Sequence, residues 1–213
     1  MLRIEHTDTY GWEAAIRGLR NPMNSWLRSD SHYGLNTLND EIYVIGDADY
    51  NLCKRMNATT EQSKYRRMIT VTMDVTAPLY WWKEFDTYKV GTVCNSCSTM
   101  HKIAVKEFEL DDFSCEHLYP DSIICLEDTI HMLNKYRNSF NETKNKDDWW
   151  QMIQLLPTSY NQRRTIQLNY EVLASIYRQR KSHKLDEWHI FCDWIKTLPY
   201  STLITGEDVA GGY

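Results

Sequence analysis

A chain of 213 residues with 42% hydrophobic content is long enough to bury a sizeable core in one domain, which excludes disorder as a whole. A formal charge of −5 argues against a nucleic-acid backbone as the main partner. The polar, charged start and the lack of any apolar run near membrane length exclude a signal peptide and a span. A cytoplasmic, reducing compartment is therefore expected, and the six cysteines read as free thiols. Eight Trp and fourteen Tyr exceed what a core of this size needs, and point to a buried ligand or to sister subunits.

In chain order, Trp12 to Leu19 reads as a short amphipathic helix, with Trp12, Ala15, Ile16 and Leu19 on one side. Ser29-Asp30-Ser31 is turn-rich, and Asp47 to Met56 is helical. Ile69 to Val75 alternates as a strand that Pro78 ends, and a helix follows over Leu79 to Phe85. Asp111 to Pro120 is acidic and irregular, Ile123 to Phe140 helical, Asn141 to Asp148 a solvated loop, and Trp149 to Leu156 a short helix. The pattern then predicts one long helix from about Gln162 to Arg180. Ser182 caps a last helix whose apolar face holds Trp188, Phe191, Cys192, Ile195 and Leu198. The tail 206–213 reads as frayed.

Two segments carry the chemistry. The first, Ala77 to Ile103, sets Lys83, Glu84, Asp86, Tyr88 and Lys89 beside three aromatics, then runs through small polar residues with two cysteines. Polar groups of both signs among aromatics at a strand end suit a flat, charged small molecule. In the second, Asn169 and Arg180 stand eleven residues apart and share one side of the expected helix, with Leu173, Ile176 and Tyr177 between them; a core-facing helix with polar margins reads equally from the same spacing. Lys89 and Arg180 are anion holders or solvated cations, and Tyr88 contacts a ligand or only packs. Cys97 is a nucleophile if its thiol is activated, and inert otherwise. Cys94-x-x-Cys97 with His101, Cys115 and His117 is too loosely spaced for a zinc site, so no metal is expected. No GxGxxG, Walker A or GxSxG string occurs.

Together the two segments resemble the flavin-dependent (alternative) thymidylate synthase family. ITVTMDVTAPLYWWKEF resembles the family's strand, Ala-Pro and helix; LLPTSYNQRRTIQLNYEVLASIYRQR resembles its Leu-Pro, Asn-x-Arg-x-Leu helix and terminal Arg, with Asn169, Leu173 and Arg180 at those places; His183 and Trp188 have counterparts in the next helix. The likeness is strongest over 61–200. Thr87-Tyr88-Lys89 replaces the family's Arg-His-Arg, Thr99 and Glu171 replace two further Arg, and Gln62 stands near a flavin-holding His; Lys64, Arg66 and Arg67 are the nearest compensating cations.

The resemblance implies a single α/β (α+β) domain over 1–213, a central mixed or antiparallel sheet flanked by long helices, and a homotetramer. It implies FAD held by Tyr88, Lys89, Asn169 and His183, and a dUMP-type pyrimidine nucleotide held by Glu84, Thr92, Asn95, Ser96, Cys97, Ser98 and Arg180. Tyr88 and Arg180 are the implied catalytic groups, with a reduced folate as one-carbon donor; Cys97 departs from the family, standing at its second Ser beside the pyrimidine, where no cysteine is required, and its expected catalytic role is addition of the thiol to C6 of a uracil ring. The alternatives are a catalytically altered or inactive nucleotide-binding protein on the same scaffold, and a purely structural oligomer.

Overall fold

A computed structural model describes residues 2–58 and 61–207; part of the tail expected to fray, 208–213, lies outside them. The elements are β1 (Arg3–Tyr10), α1 (Trp12–Arg20), β2 (His32–Leu35), β3 (Glu41–Val44), α2 (Asp47–Met56), β4 (Thr70–Pro78), α3 (Leu79–Phe85), β5 (Val93–Ser96), α4 (Thr99–Lys102), α5 (Pro120–Thr143), α6 (Lys146–Leu155), β6 (Asn161–Asn169), α7 (Tyr170–Arg180), α8 (Asp186–Thr197) and α9 (Thr202–Thr205). One sheet has the order β1-β4-β6-β5; β2 and β3 form an antiparallel hairpin with Tyr33 opposite Tyr43. The fold is mixed α/β with antiparallel pairing and helices, the class expected from the sequence.

Most expected elements form where the pattern places them. Ile69, Val71, Met73 and Val75 are all buried along β4, and the strand continues through Ala77 and Pro78. Three readings are corrected. The long helix over 162–180 is instead a strand followed by a helix: Gln162, Ile166 and Leu168 are buried on one face of β6, and Asn169 stops the strand. Asn169 Oδ1 accepts from the amides of Glu171 and Val172 at 3.1 and 3.0 Å, so it caps α7 rather than lying within a helix. Leu185, not Ser182, is the N-cap of α8, although Asp186 and Glu187 do occupy its first turn. The charged loop is shorter than read, because α5 runs on to Thr143 and α6 starts at Lys146.

Contacts divide the chain into two compact units. The first holds residues 1–5, 74–87 and 94–166. Its buried cluster includes Ile103, Phe108, Phe113, Leu126, Leu133 and Met152, largely from α5 and α6 and the loop before them. In α3, Trp81, Trp82 and Phe85 are all buried; Trp81 meets Trp82 edge-on at 4.9 Å and stacks on Phe85 at 5.1 Å. The Trp82 indole N–H donates to the Gln162 carbonyl at 2.9 Å, tying α3 to β6.

The second unit holds residues 6–73, 88–93 and 167–213. Its buried residues include Leu173, Ile176, Trp188, Phe191 and Ile195 of α7 and α8. The turn Ser29-Asp30-Ser31 has a definite job here. Asp49 is fully buried and accepts from Arg20 Nε at 2.5 Å and from the Ser29 and Ser31 hydroxyls at 2.6 and 2.7 Å. Asp30 in turn accepts from the Ala48 and Asp49 amides at 2.8 and 3.1 Å, supplying the cap that Gly46 has no side chain to give.

Candidate functional site

In the second unit, the turn that leaves α3 and the C-terminal end of α7 meet at one residue pair. Arg180 Nε donates to the Tyr88 hydroxyl at 2.9 Å, and that hydroxyl donates to Gln179 Oε1 at 3.2 Å. The guanidinium carbon lies 4.8 Å from the Trp188 ring centre and 5.7 Å from that of Tyr88. His183 and Tyr88 both approach Trp188 edge-on, with centroids at 6.3 and 6.1 Å. Cation–π contacts of this kind contribute about 0.5–2 kcal/mol each. Together with the phenol they hold the planar fork of Arg180 in one orientation.

The same turn closes against the start of α7. Gly91 adopts φ +77°, and a Cβ there would stand 2.9 Å from Asn169 Nδ2 and 3.2 Å from a Val172 methyl. Glycine is required on both counts: its left-handed conformation and the absent side chain let the backbone pass over Asn169. Because Asn169 Oδ1 faces the α7 amides, its Nδ2 is the donor edge turned toward this loop. The next residue, Thr92, has a buried hydroxyl that meets no hydrogen-bond partner among the described residues. Leaving a buried hydroxyl so costs about 1–3 kcal/mol, which a ligand group can return.

Of the residues proposed from sequence, this unit therefore gathers Tyr88, Arg180 and His183 around Trp188, and brings Asn169 against the Gly91 and Thr92 turn. Lys89 is exposed on that turn. Glu171, which replaces an Arg of the family, is occupied: it accepts from Arg66 Nη2 at 2.6 Å and from the Ser63 hydroxyl at 3.1 Å. Arg66 is buried and also donates to the Leu203 carbonyl, so its place as a compensating cation is corrected, while Lys64 and Arg67 remain exposed.

Glu84, Asn95, Ser96, Cys97 and Ser98 belong to the first unit. Cys97 is exposed and its backbone is fixed at both ends: its amide donates to the Arg163 carbonyl at 2.9 Å, and its carbonyl accepts from Gln162 Nε2 at 2.8 Å. Ser98 caps α4 by accepting from the His101 amide at 3.0 Å. Arg164, not singled out by sequence, lies 4.2 Å from the Trp82 ring centre, donates to Asp86 at 2.7 Å and approaches Cys94 Sγ at 3.9 Å. Burial pushes the Cys53 thiol up to about 12 and the Cys192 thiol up to about 11, so neither is a nucleophile near neutrality. Among the described residues no group of three or more His, Cys, Asp or Glu is placed to hold a metal ion, and no helix is long and apolar enough to cross a membrane.

Gln179 and Gly91 were not legible as site residues. A glutamine next to a helix-terminal Arg carries no spacing signal, and a single Gly in a turn is common.

No family model matches the sequence, and no curated protein matches it. The fold does match solved structures. Flavin-dependent thymidylate synthase ThyX from Helicobacter pylori, complexed with FAD and dUMP, aligns with a TM-score of 0.69 at 16% identity, covering 96% of this chain and 98% of that one. A second structure of that enzyme with FAD and dUMP gives the same TM-score and identity, covering 97% and 98%. The UMP/dUMP methylase PolB from Streptomyces cacaoi, bound with 5-Br dUMP, aligns at 0.57 and 13% identity over 92% of this chain and 89% of that one. The chain thus has the fold of the flavin-dependent thymidylate synthases over nearly its whole length.

Proposed function

We propose that this chain binds a pyrimidine nucleoside monophosphate of the dUMP type and acts on its base as a flavin-dependent thymidylate synthase-like methyltransferase. The observation that carries the reading is the Arg180 clamp, a guanidinium held by the Tyr88 phenol on one edge and the Trp188 indole on one face. A fork fixed in advance binds an anion without the ordering cost of a free arginine, and its geometry suits phosphate oxygens. Lys89 adds an exposed point charge, and the Thr92 hydroxyl supplies a hydrogen-bonding group that has no partner among the described residues.

The same reading assigns FAD to the corner where Asn169 Nδ2 faces the Gly91 turn and where Tyr88 and His183 pack edge-on with Trp188. Once reduced by an external electron donor, bound FAD would supply the hydride that completes transfer of the one-carbon unit from a reduced folate. The chain's own groups hold and orient: Arg180 and Lys89 the phosphate, Asn169, Tyr88 and His183 the flavin, Thr92 the nucleotide. A homotetramer is part of the same proposal. Cys97 is a separate proposal. Its exposed thiol, as thiolate, adds to C6 of a uracil ring; the C5–C6 electron pair moves toward C5 and O4, and its return expels the thiolate.

The test is direct. Purified protein shows flavin absorbance, releases tritium from 5-tritiated dUMP when given a reduced folate and a chemical reductant for the flavin, and loses dUMP affinity by about tenfold or more in Arg180→Ala. Intact mass after incubation with 5-fluoro-dUMP shows an adduct that Cys97→Ala abolishes; an adduct that survives the substitution removes the thiol proposal. The replacement of Arg-His-Arg by Thr87-Tyr88-Lys89 favours a second reading, in which the nucleotide is bound but not converted. In that case dUMP raises the melting temperature while colourless protein releases no tritium. Protein with neither response rules out both.

A further inference from the structure

A cavity in the second unit shares no lining residue with the Tyr88–Arg180 cluster. It has a volume of about 1230 Å³ and is bounded by the β1–α1 junction, the β2–β3 hairpin and the segment joining α8 to α9. Six aromatic residues line it: Tyr10, Trp12, Tyr33, Tyr43, Tyr50 and Tyr200. They form two sets. Trp12 meets Tyr200 edge-on at 5.4 Å, and Tyr50 is tilted against Tyr200 at 6.0 Å; across the hairpin, Tyr33 meets Tyr43 edge-on at 5.1 Å. Tyr200 is pinned by the Ile45 amide, which donates to its hydroxyl at 2.8 Å, so the floor is rigid. Tyr10 and Tyr33 remain half exposed at the mouth.

The charges around this cavity are one-sided. Glu13 and Glu41 line it, and its single lysine, Lys196, is paired with Asp193 at 2.9 Å. Glu13 is shared between Arg17 at 3.3 Å and the Tyr33 hydroxyl at 3.0 Å. The Glu41 side chain is exposed and has no ion-pair or hydrogen-bond partner among the described residues, although its backbone lies in the hairpin ladder opposite Leu35. Ring faces are the negative ends of aromatic quadrupoles, so rings and carboxylates favour the same sign of ligand. Those Tyr hydroxyls facing the carboxylates stay protonated: the hydrogen bond to Glu13 raises the Tyr33 phenol above its ordinary range.

We propose that this cavity binds an organic cation, an amine or quaternary ammonium carried on an apolar or flat body, with the body against Trp12 and Tyr200 and the charge toward Glu41. The volume is above the usual range of roughly 300–1,000 Å³ for small-molecule pockets, which leaves room for the body as well as the cationic head. This inference stands independently of the proposed nucleotide site.

Phenyltrimethylammonium is the probe, titrated against the full chain by calorimetry and followed by ligand-observed NMR. Its uncharged isostere tert-butylbenzene and the anion benzenesulfonate are the controls. The cation binds about tenfold or more tighter than the isostere, the preference expected of desolvated cation–π contact with a carboxylate nearby. Glu41→Gln, at an exposed position that leaves folding intact, cuts that preference several-fold, and Tyr33→Leu does the same. Arg180→Ala leaves it unchanged, which separates this site from the nucleotide site. Equal binding of cation and isostere, tighter binding of benzenesulfonate, no binding of the cation, or a preference that persists in Glu41→Gln and Tyr33→Leu overturns the proposal.

Discussion

Two buried polar groups, the Thr92 hydroxyl and the Asp49 carboxylate, stand in opposite states. The Thr92 hydroxyl is buried without a partner among the described residues, so the folded chain bears a cost that a nucleotide bound as proposed would relieve. Thr92→Val keeps the shape and removes the orphan; the free protein should gain about 1 kcal/mol while affinity for dUMP falls. Melting curves with and without nucleotide read both effects, and a variant that loses stability and keeps affinity contradicts the assignment. Asp49 is the reverse case, a buried carboxylate with every oxygen served. Burial alone would raise its pKa, but hydrogen bonds from Ser29 and Ser31 and the Arg20 guanidinium outweigh burial and bring it below the ordinary value. A carboxylate depressed in the fold contributes stability above its unfolded pKa of about 3.9, and that contribution is lost as pH falls through the lower folded value. Asp49→Asn leaves Arg20 buried without its counter-charge, which costs about 3–5 kcal/mol near neutrality. Denaturant titrations at pH 7 and in acid should therefore show the gap between wild type and variant closing at low pH.

At the scale of elements, the junction between β6 and α7 sets the site. Asn169 ends the strand, caps the helix and packs under Gly91, so Asn169→Ala should cost about 1 kcal/mol of stability through the lost cap. Gly91→Ala brings both a positive-φ penalty of about 1 kcal/mol and a contact with the Asn169 amide. Combined with Asn169→Ala it should cost less than the sum, a coupling that a double-mutant cycle measures. The sequence made some of this readable. The β4 alternation and the stop at Pro78 were visible because burial imposes a period on the strand; the span of α3 was read too, but its aromatics suited a ligand site as well as the core that buries Trp81, Trp82 and Phe85. β1 and β5 were not, because both are edge strands: the residues of β1 are mostly exposed and those of β5 wholly so, which leaves no apolar rhythm to read. The β6–α7 boundary was missed for another reason. Ile166, Leu168, Leu173 and Ile176 suit a continuous helix as well as a strand running into one, and only the capping role of Asn169 separates the two. Of the site, Tyr88 and Arg180 were legible through the resemblance; their contact through a phenol and an indole was not, since it depends on a tertiary approach of residues 92 positions apart.

For the whole molecule, exposed apolar side chains are numerous. Met23, Leu27, Leu35, Leu38 and Val90 are each more than two-thirds exposed. Isolated exposed hydrophobes are ordinary, but this many large ones suit a chain that assembles with copies of itself. Light scattering should give about four times the 25.3 kDa of one chain, and a particle of one chain's mass at micromolar concentration would refute the tetramer. The formal charge of −5 adds a long-range repulsion toward the dianionic nucleotide of the proposed function, which leaves Lys89 and Arg180 to act on it at short range under that proposal.

The helix between Asn169 and Arg180 works as a measured spacer. Inserting one residue within it would swing the guanidinium by about 100° around the axis and carry it off the Tyr88 phenol, while the capped start of the helix stayed in place. Adding a near-complete turn of four residues would restore the direction but displace the group by about 6 Å along the axis. Length variation is therefore tolerable in the loops flanking this helix and not inside it, and homologous chains that keep an arginine at this point should keep the same count of residues back to the capping asparagine.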